Sequence, residues 1–363
     1  MHESGHEVSK DTTQMAIQIE TYHQTEFAQL RADWERLQQG EEMTYFQTWE
    51  WNKMLLHAVP KDSAYFETIF LLIKRDCNAE MIVPLWIIKQ RYRYVHRPMI
   101  TLLGQGGWSD YQNAIYLRFC EEVMNAVMDY LRVTFPTLPL HFSSLKEGSS
   151  LYHYVHQHYD ITTDITGDCV SLFLPNKQEE WLQSLSKNTR QNLRTAINRL
   201  DRDGITYVID FDDTSVDKQV CIANRTRRSK MKAVRDERVS WRKKVTRWIK
   251  RMCCSLPTQG GYLPILDDPN AKIMTISTVD GQLMAYFHYG HDMVHREIVV
   301  ISAGVMEEYA RYSPGMVLMK NYVAHAIETK AVDVIDFTRG DEPYKIALGG
   351  VRKINHTIQF AIS

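Results

Sequence analysis

Two short stretches of the sequence concentrate residue types able to handle anions and protons. The first is Ser313-Pro314-Gly315, preceded by Arg311, between an apolar run and an amphipathic stretch. Serine suits a helix N-cap by accepting a backbone N–H bond, proline suits the first helical position, and glycine beside it lets a ligand approach the backbone. A helix start with unsatisfied N–H groups is an anion site. An exposed helix dipole contributes only about 0.3–1 kcal/mol, so several N–H bonds and a cation such as Arg311 must do most of the holding. An ordinary capped helix fits the same tripeptide. The second stretch is Asp336-Phe337-Thr338-Arg339-Gly340-Asp341-Glu342-Pro343-Tyr344-Lys345. Its carboxylates can take a proton from an amine, its phenol can give one to a leaving thiolate, and its cations can orient an anionic substrate. A polar turn after a strand has the same composition.

Other groupings carry less. Lys187, Arg190 and Arg194, spaced by three and four, form one basic helix face that meets either a phosphate or water. Asp110-Tyr111 follows Gly104, Gly106 and Gly107, yet neither G-x-G-x-x-G nor G-x-x-x-x-G-K-[ST] is present. His153, His156 and His158, like His288, His291 and His295, lack both H-E-x-x-H and a carboxylate at ligand spacing, so no metal site is expected. G-x-S-x-G is also absent, which removes the usual serine-hydrolase signal. Apart from Arg91-Tyr92-Arg93-Tyr94 the aromatics do not interleave with basic residues, which argues against single-strand nucleic-acid binding.

Composition sets the outer bounds. With 363 residues, 44% of them hydrophobic and 24% charged, the chain can bury a large core, and 17 Gly with 11 Pro are too few for a low-complexity polymer. The apolar runs from Met81 and from Ile298 reach eight and nine residues, far short of the roughly 20 that span a bilayer. Glu3, Glu7 and Asp11 occupy the start, where a secretory signal needs cations and then an apolar run. The six cysteines contain no C-x-x-C pair and read as reduced thiols of a cytoplasmic protein. Residues 187–254 hold 19 Lys or Arg against 8 Asp or Glu, an excess of 11 in a chain of net charge −1, so the remainder carries −12. That segment could hold phosphate groups or present solvated helices.

The elements that would position these residues recur in one order. Helical patterns cover Thr25 to Leu37 and Trp49 to Ala58, then strand patterns run over Phe66 to Lys74, Glu80 to Gln90 and Met99 to Leu103. A helix over Leu117 to Val133 and a strand over Leu138 to Phe142 follow. The second half opens with an apolar run, Cys169 to Leu174, a long helix from about Gln178 to Asp201, and further basic helices to Cys254. A meander comes next: Lys272 to Val279, Leu283 to Tyr289 and Val294 to Ala303, with turns at Asp280-Gly281 and His291-Asp292. A helix from Pro314 to Glu328, a strand from Val332 to Phe337 and a last strand within His356 to Ile362 close the chain. The polar stretch Asp160 to Asp168 reads as the boundary between two lobes.

Three blocks together, WLQSLSKNTRQNLRTAINRL, EEYARYSPGMVL and VIDFTRGDEPYKIALGG, resemble the CelD/BcsL-like branch of the GNAT acyltransferases, which is similar to the Fem-type aminoacyltransferases. The resemblance implies an α+β fold of tandem GNAT-like lobes, each a mostly antiparallel mixed sheet flanked by helices. Residues 1–17 would form a disordered tail, 18–165 the N-terminal lobe and 166–363 the lobe that binds acyl-CoA, most commonly acetyl-CoA. The carrier would lie on Ser302, Ala303, Gly304, Arg311, Ser313, Pro314 and Gly315. Asp110, Arg190, Arg194, Arg339 and Lys345 would face the acceptor in the cleft between lobes. Asp336 or Asp341 would take the proton and Tyr344 would protonate the thiolate, in direct transfer without a covalent intermediate. The implied acceptor is a small molecule, an amino sugar or another polysaccharide or cell-envelope precursor, with no metal, no membrane span and no nucleic acid. Two other readings stay open, a Fem-type transferase using aminoacyl-tRNA and a basic binding module without turnover. Oligomeric state is not legible.

Overall fold

The structure, a computed structural model, describes residues 16–58, 66–88, 98–104, 109–216 and 268–362. The N-terminal tail, the RYRYVHR stretch, Gly106 and Gly107, the basic helices expected between 217 and 254, and Cys221, Cys253 and Cys254 lie outside the described residues. Cys77, Cys120 and Cys169 are free thiols. No described helix is long and apolar enough to cross a membrane.

The N-terminal half begins with β1 (Ile17–His23), a 3-10 turn and α1 (Arg31–Leu37), so only the second part of the expected first helix is α-helical. α2 (Trp49–Ala58) follows the expected bounds, with Trp51, Leu55 and Leu56 buried. β2 (Phe66–Arg75) and β3 (Asn78–Ile88) pair antiparallel along their length. β3 is apolar almost throughout because both of its faces are covered. β4 (Met99–Leu102), the short β5 (Ile115–Tyr116), α3 (Glu121–Thr134), β6 (Leu140–Lys146) and α4 (Ser150–His158) complete this half. Val123, Met124, Val127, Met128 and Leu131 give α3 its buried stripe.

The second half starts in β7 (Ile161–Phe173), which runs straight through the stretch expected to link two lobes. The stretch reads as a linker because residues 162–168 are exposed on both faces. Thr and Ile nonetheless favour extended backbone, and β13 (Val351–Phe360) pairs with it from Ile161 to Ser171. The long helix expected next is two: α5 (Gln178–Ser184) and α6 (Lys187–Arg202), separated where Ser186 caps α6 by accepting the Thr189 N–H at 3.0 Å. β8 (Tyr207–Asp210), β9 (Ala271–Thr278), β10 (Leu283–Asp292) and β11 (Glu297–Val305) form the antiparallel meander. α7 (Pro314–Thr329), β12 (Val334–Arg339) and the short α8 (Pro343–Ala347) precede β13.

All the described strands join one 13-stranded sheet, ordered β1-β2-β3-β4-β6-β13-β7-β12-β11-β10-β9-β8 with β5 beside β3. The last strand therefore inserts between β6 of the first half and β7 of the second. Ile358 and Phe360 of β13 belong to the N-terminal core, whereas α5, α6 and α7 pack with β7, β9, β10 and β12 into a second core. The halves repeat one motif, yet the C-terminal strand is shared between them rather than belonging to the second lobe alone.

Candidate active site

The site begins where β11 and β12 part. Against β10, β11 stays paired from Glu297 to Val305, with a register shift opposite His288 and Tyr289. Against β12 the parallel pairing covers only Glu297, Ile298 and Val299. Beyond Val299 the strands diverge. Thr338 stands at the fork, donating its hydroxyl to the Val300 carbonyl at 2.9 Å and its N–H to Asp336 Oδ1 at 2.6 Å. Its φ of 57° lies in the left-handed region, which costs a β-branched residue on the order of 1–3 kcal/mol and persists only where such bonds fix it.

The fork opens a cavity of about 460 Å³, lined by Val300 to Val305, by Phe287, by Ser313, Gly315 and Met316 at the start of α7, and by Phe337, Thr338, Arg339, Glu342, Tyr344 and Lys345. Ser302, Ala303, Gly304, Ser313 and Gly315 thus stand together as expected. Pro314 occupies the first helical turn and is buried, but it does not line the cavity.

Serine at the helix start behaves differently from the sequence expectation. Ser313 has φ 49° and ψ 48°, and its side chain makes no cap bond. Its carbonyl accepts from Met316 N at 3.0 Å and Val317 N at 3.3 Å, while its own N–H donates to the Ala310 carbonyl at 3.1 Å. Proline has no N–H, so Gly315 N–H is the first-turn donor that meets no described backbone carbonyl. A Cβ at Gly315 would stand 3.4 Å from Val305 Cγ2 and 3.8 Å from Phe287 Cζ, against the wall that glycine leaves clear. Arg311 does not line the cavity. It reaches Asp203 at 3.0 Å and lies over the Tyr312 ring, because a carboxylate and an aromatic face are nearer than the cavity mouth.

On the opposite wall Lys345 is buried and spends its three donors locally, on the carbonyls of Arg339 at 2.7 Å and Gly340 at 3.0 Å and on Glu342 Oε2 at 2.8 Å. It shapes the 339–342 turn instead of offering a free cation. Partial burial pushes the Glu342 carboxyl up, but the bond from Lys345 and its own backbone N–H outweigh this and hold it below the usual range. Tyr344 lines the cavity and meets Phe337 edge-on with ring centroids 6.1 Å apart. Arg339 sits at the rim, its Nε donating to Asp110 Oδ1 of the other half at 2.7 Å. Asp110 therefore touches the site through Arg339 and is not itself a wall residue.

Besides Asp110, Arg311 and Pro314, four more expected site residues lie off the cavity. Asp336 is only 1% exposed and accepts from Tyr111 Oη at 2.7 Å, Ser171 Oγ at 2.7 Å and Thr338 N. A carboxylate so bonded and buried fixes the fork, and it does not line the cavity. Asp341 is exposed and pairs with Arg352 at 3.2 Å. Arg190 donates to the carbonyls of Leu182, Gln183 and Leu185, closing the C-terminal end of α5. Arg194 is exposed on α6.

One residue was not singled out from sequence. Glu297 opens β11 on the same strand face as Val299, whose side chain joins the N-terminal core, so Glu297 faces the seam between the halves. Burial, then the nearby Asp336 charge, push its carboxyl up to about 8, with Lys353 and Lys146 opposing. A Glu heading an otherwise apolar strand, EIVVISAGV, was the available signal.

The N-terminal half has the matching gap but fills it. β4 and β6 pair only through Ile100 and Leu140. Gln112 enters beyond that point, donating its N–H to the Ser144 carbonyl at 3.0 Å and Nε2 to the Leu103 carbonyl at 3.3 Å, and accepting from Ser143 Oγ at 3.0 Å.

A sheet that forks beside a helix start, in one of two like halves, defines the GNAT class of acyltransferase fold. Residues 187–346 match the family model described as an acetyltransferase (GNAT) domain. Residues 187–346 therefore form a GNAT-type acetyltransferase domain, and the fold of the chain is related to the Fem type. Its fold resembles the crystal structure of FemX at 9% identity, covering 93% of this chain and 97% of that one with a TM-score of 0.58. It also resembles a conserved protein of unknown function from Bacteroides thetaiotaomicron, at 9% identity, 95% and 100% coverage and a TM-score of 0.53. A tandem GNAT protein from the clavulanic acid biosynthesis pathway matches at 11% identity and a TM-score of 0.47, with 95% and 98% coverage. No curated protein sequence matches the chain.

Proposed function

We propose that the protein is an acyl-CoA-dependent N-acyltransferase of the CelD/BcsL-like branch, transferring an acyl group, most commonly acetyl, directly to the amine of a sugar or cell-envelope precursor. The observation that carries this reading is the fork after Val299, beyond which the β11–β12 ladder stops and a cavity opens between residues 300–305 and Gly315. A diphosphate would sit at that amide and the dipole end of α7, with Ser313 beside it. The pantetheine arm would run along Ser302, Ala303 and Gly304, whose strand edge offers backbone groups to an amide-rich chain and to the thioester carbonyl.

The acceptor amine would enter from the seam, near Arg339 and Asp110. Glu297, half-buried there, is the better base because its raised pKa lies near working pH, where proton transfer is most effective. Val300 and Ile301 are three and four residues along its strand, so the proton would pass through water. Tyr344, on the cavity wall, would protonate the departing thiolate. Holding two reactants in line can supply about 7–11 kcal/mol, whereas a base adds about 3–5, so positioning dominates. The filled N-terminal gap supports one carrier per chain.

The test is a panel of acyl-CoAs against amino sugars and amino-sugar nucleotides, read as free thiol. Acceptor-dependent thiol release supports the reading. Transfer from aminoacyl-tRNA with none from any acyl-CoA would overturn it in favour of the Fem-type reaction.

A further inference from the structure

Outside the cavity lining, α4, β7 and β13 bring His156, Asp164 and His356 together, with one ligand atom from each within 4.8 Å of the others. His356 Nδ1 lies 2.9 Å from Asp164 Oδ1, and His156 Nε2 lies 3.7 Å from Asp164 Oδ2. Tetrahedral zinc with bonds of about 2.1 Å needs neighbouring donors about 3.4 Å apart, a value these two distances bracket.

The surroundings are those of a built site. His356 is only 7% exposed, and its Nε2 is buried without a hydrogen-bond partner. That nitrogen lies 3.7 Å from Glu147 Oε1, so Glu147 stands where a carboxylate orients a metal-binding imidazole from behind. The Tyr152 ring packs on both imidazoles, with centroids 4.3 Å from His156 and 4.6 Å from His356. Sequence spacing hid the set, because its members come from a helix and two strands.

We propose that His156 Nε2, Asp164 and His356 Nδ1 bind one divalent transition-metal ion of the zinc type, with solvent as fourth ligand. Two imidazoles and one carboxylate suit zinc, cobalt or nickel and not magnesium or calcium, which favour all-oxygen shells. The ion would staple the last strand to β7 and α4, at the seam where the chain's two halves share β13. It is independent of the acyl-transfer site.

The test is a titration of the chelator-treated, untagged full chain with Co²⁺, followed by visible absorption. A ligand-field band that saturates at one equivalent and is displaced by Zn²⁺ is expected. His156→Ala and Asp164→Asn, both at accessible positions, should weaken Co²⁺ binding at least tenfold while keeping the native circular dichroism spectrum, and Glu147→Gln should weaken it about tenfold. His153→Ala, on the same helix but outside the set, should bind as the parent does. No saturable band, or a band unchanged in His156→Ala and Asp164→Asn, overturns the site. Because the readout is metal binding, it stands or falls apart from acyl transfer.

Discussion

Tyr111 donates its phenolic hydrogen to Asp336 Oδ2 at 2.7 Å, joining two residues 225 positions apart, both at least 95% buried. The bond ties the N-terminal half to the base of the fork, since the other oxygen of Asp336 holds Thr338 N–H. A hydrogen bond to a buried carboxylate contributes about 1.5–3 kcal/mol. Tyr111→Phe should lower the free energy of unfolding by that amount in denaturant titration. It should also weaken carrier binding, because Thr338 loses a fixed neighbour. A variant as stable as the parent would show that the bond does not couple the halves.

Glu297 separates activity from stability. Its carboxyl ordinarily ionises near 4.5 and is held near 8 in the fold. Between those values the folded state keeps a proton that the unfolded chain has released, so stability falls as pH rises through this window. Glu297→Gln should therefore melt with less pH dependence and be more stable than the parent above pH 8. As the proposed base it must be deprotonated to act, so kcat/KM of the parent should rise toward about pH 8. In Glu297→Gln that limb should vanish, with a rate loss of about 10²- to 10⁴-fold. A variant with the parental pH profile would remove Glu297 from the mechanism.

Much of the fold was legible because local pattern and tertiary demand agree. The span of α2, the apolar β3, the meander of β9 to β11 and the proline start of α7 all follow from spacing and turn chemistry. β7 was misread because strand identity there comes from pairing with β13, not from a buried face. The cavity walls at Ser302 to Gly304, Ser313, Gly315 and Tyr344 were found from motif and resemblance. The local partners of Asp336, Arg190 and Lys345 were not legible, since only the folded chain supplies them. Ser313 was read as a side-chain cap, whereas its left-handed backbone uses the carbonyl alone.

Gln112 fills the N-terminal gap with both ends of its amide. Gln112→Ala should cost about 1–3 kcal/mol through the unsatisfied groups it leaves, measured by chemical denaturation. Carrier stoichiometry should remain one per chain, because the proposed carrier site needs the fork and the helix start at Ser313 together. A second equivalent bound by the variant would show that both halves can hold the carrier.

The most direct measurement is calorimetric titration of the full chain with acetyl-CoA and with CoA, beside Gly315→Val. The parent should bind one equivalent. The variant, whose side chain would occupy the wall between Val305 and Phe287, should stay folded and bind at least tenfold more weakly, a loss of about 1.4 kcal/mol or more. Absence of binding by the parent, or equal affinity in Gly315→Val, would contradict a carrier seated in the β11 fork.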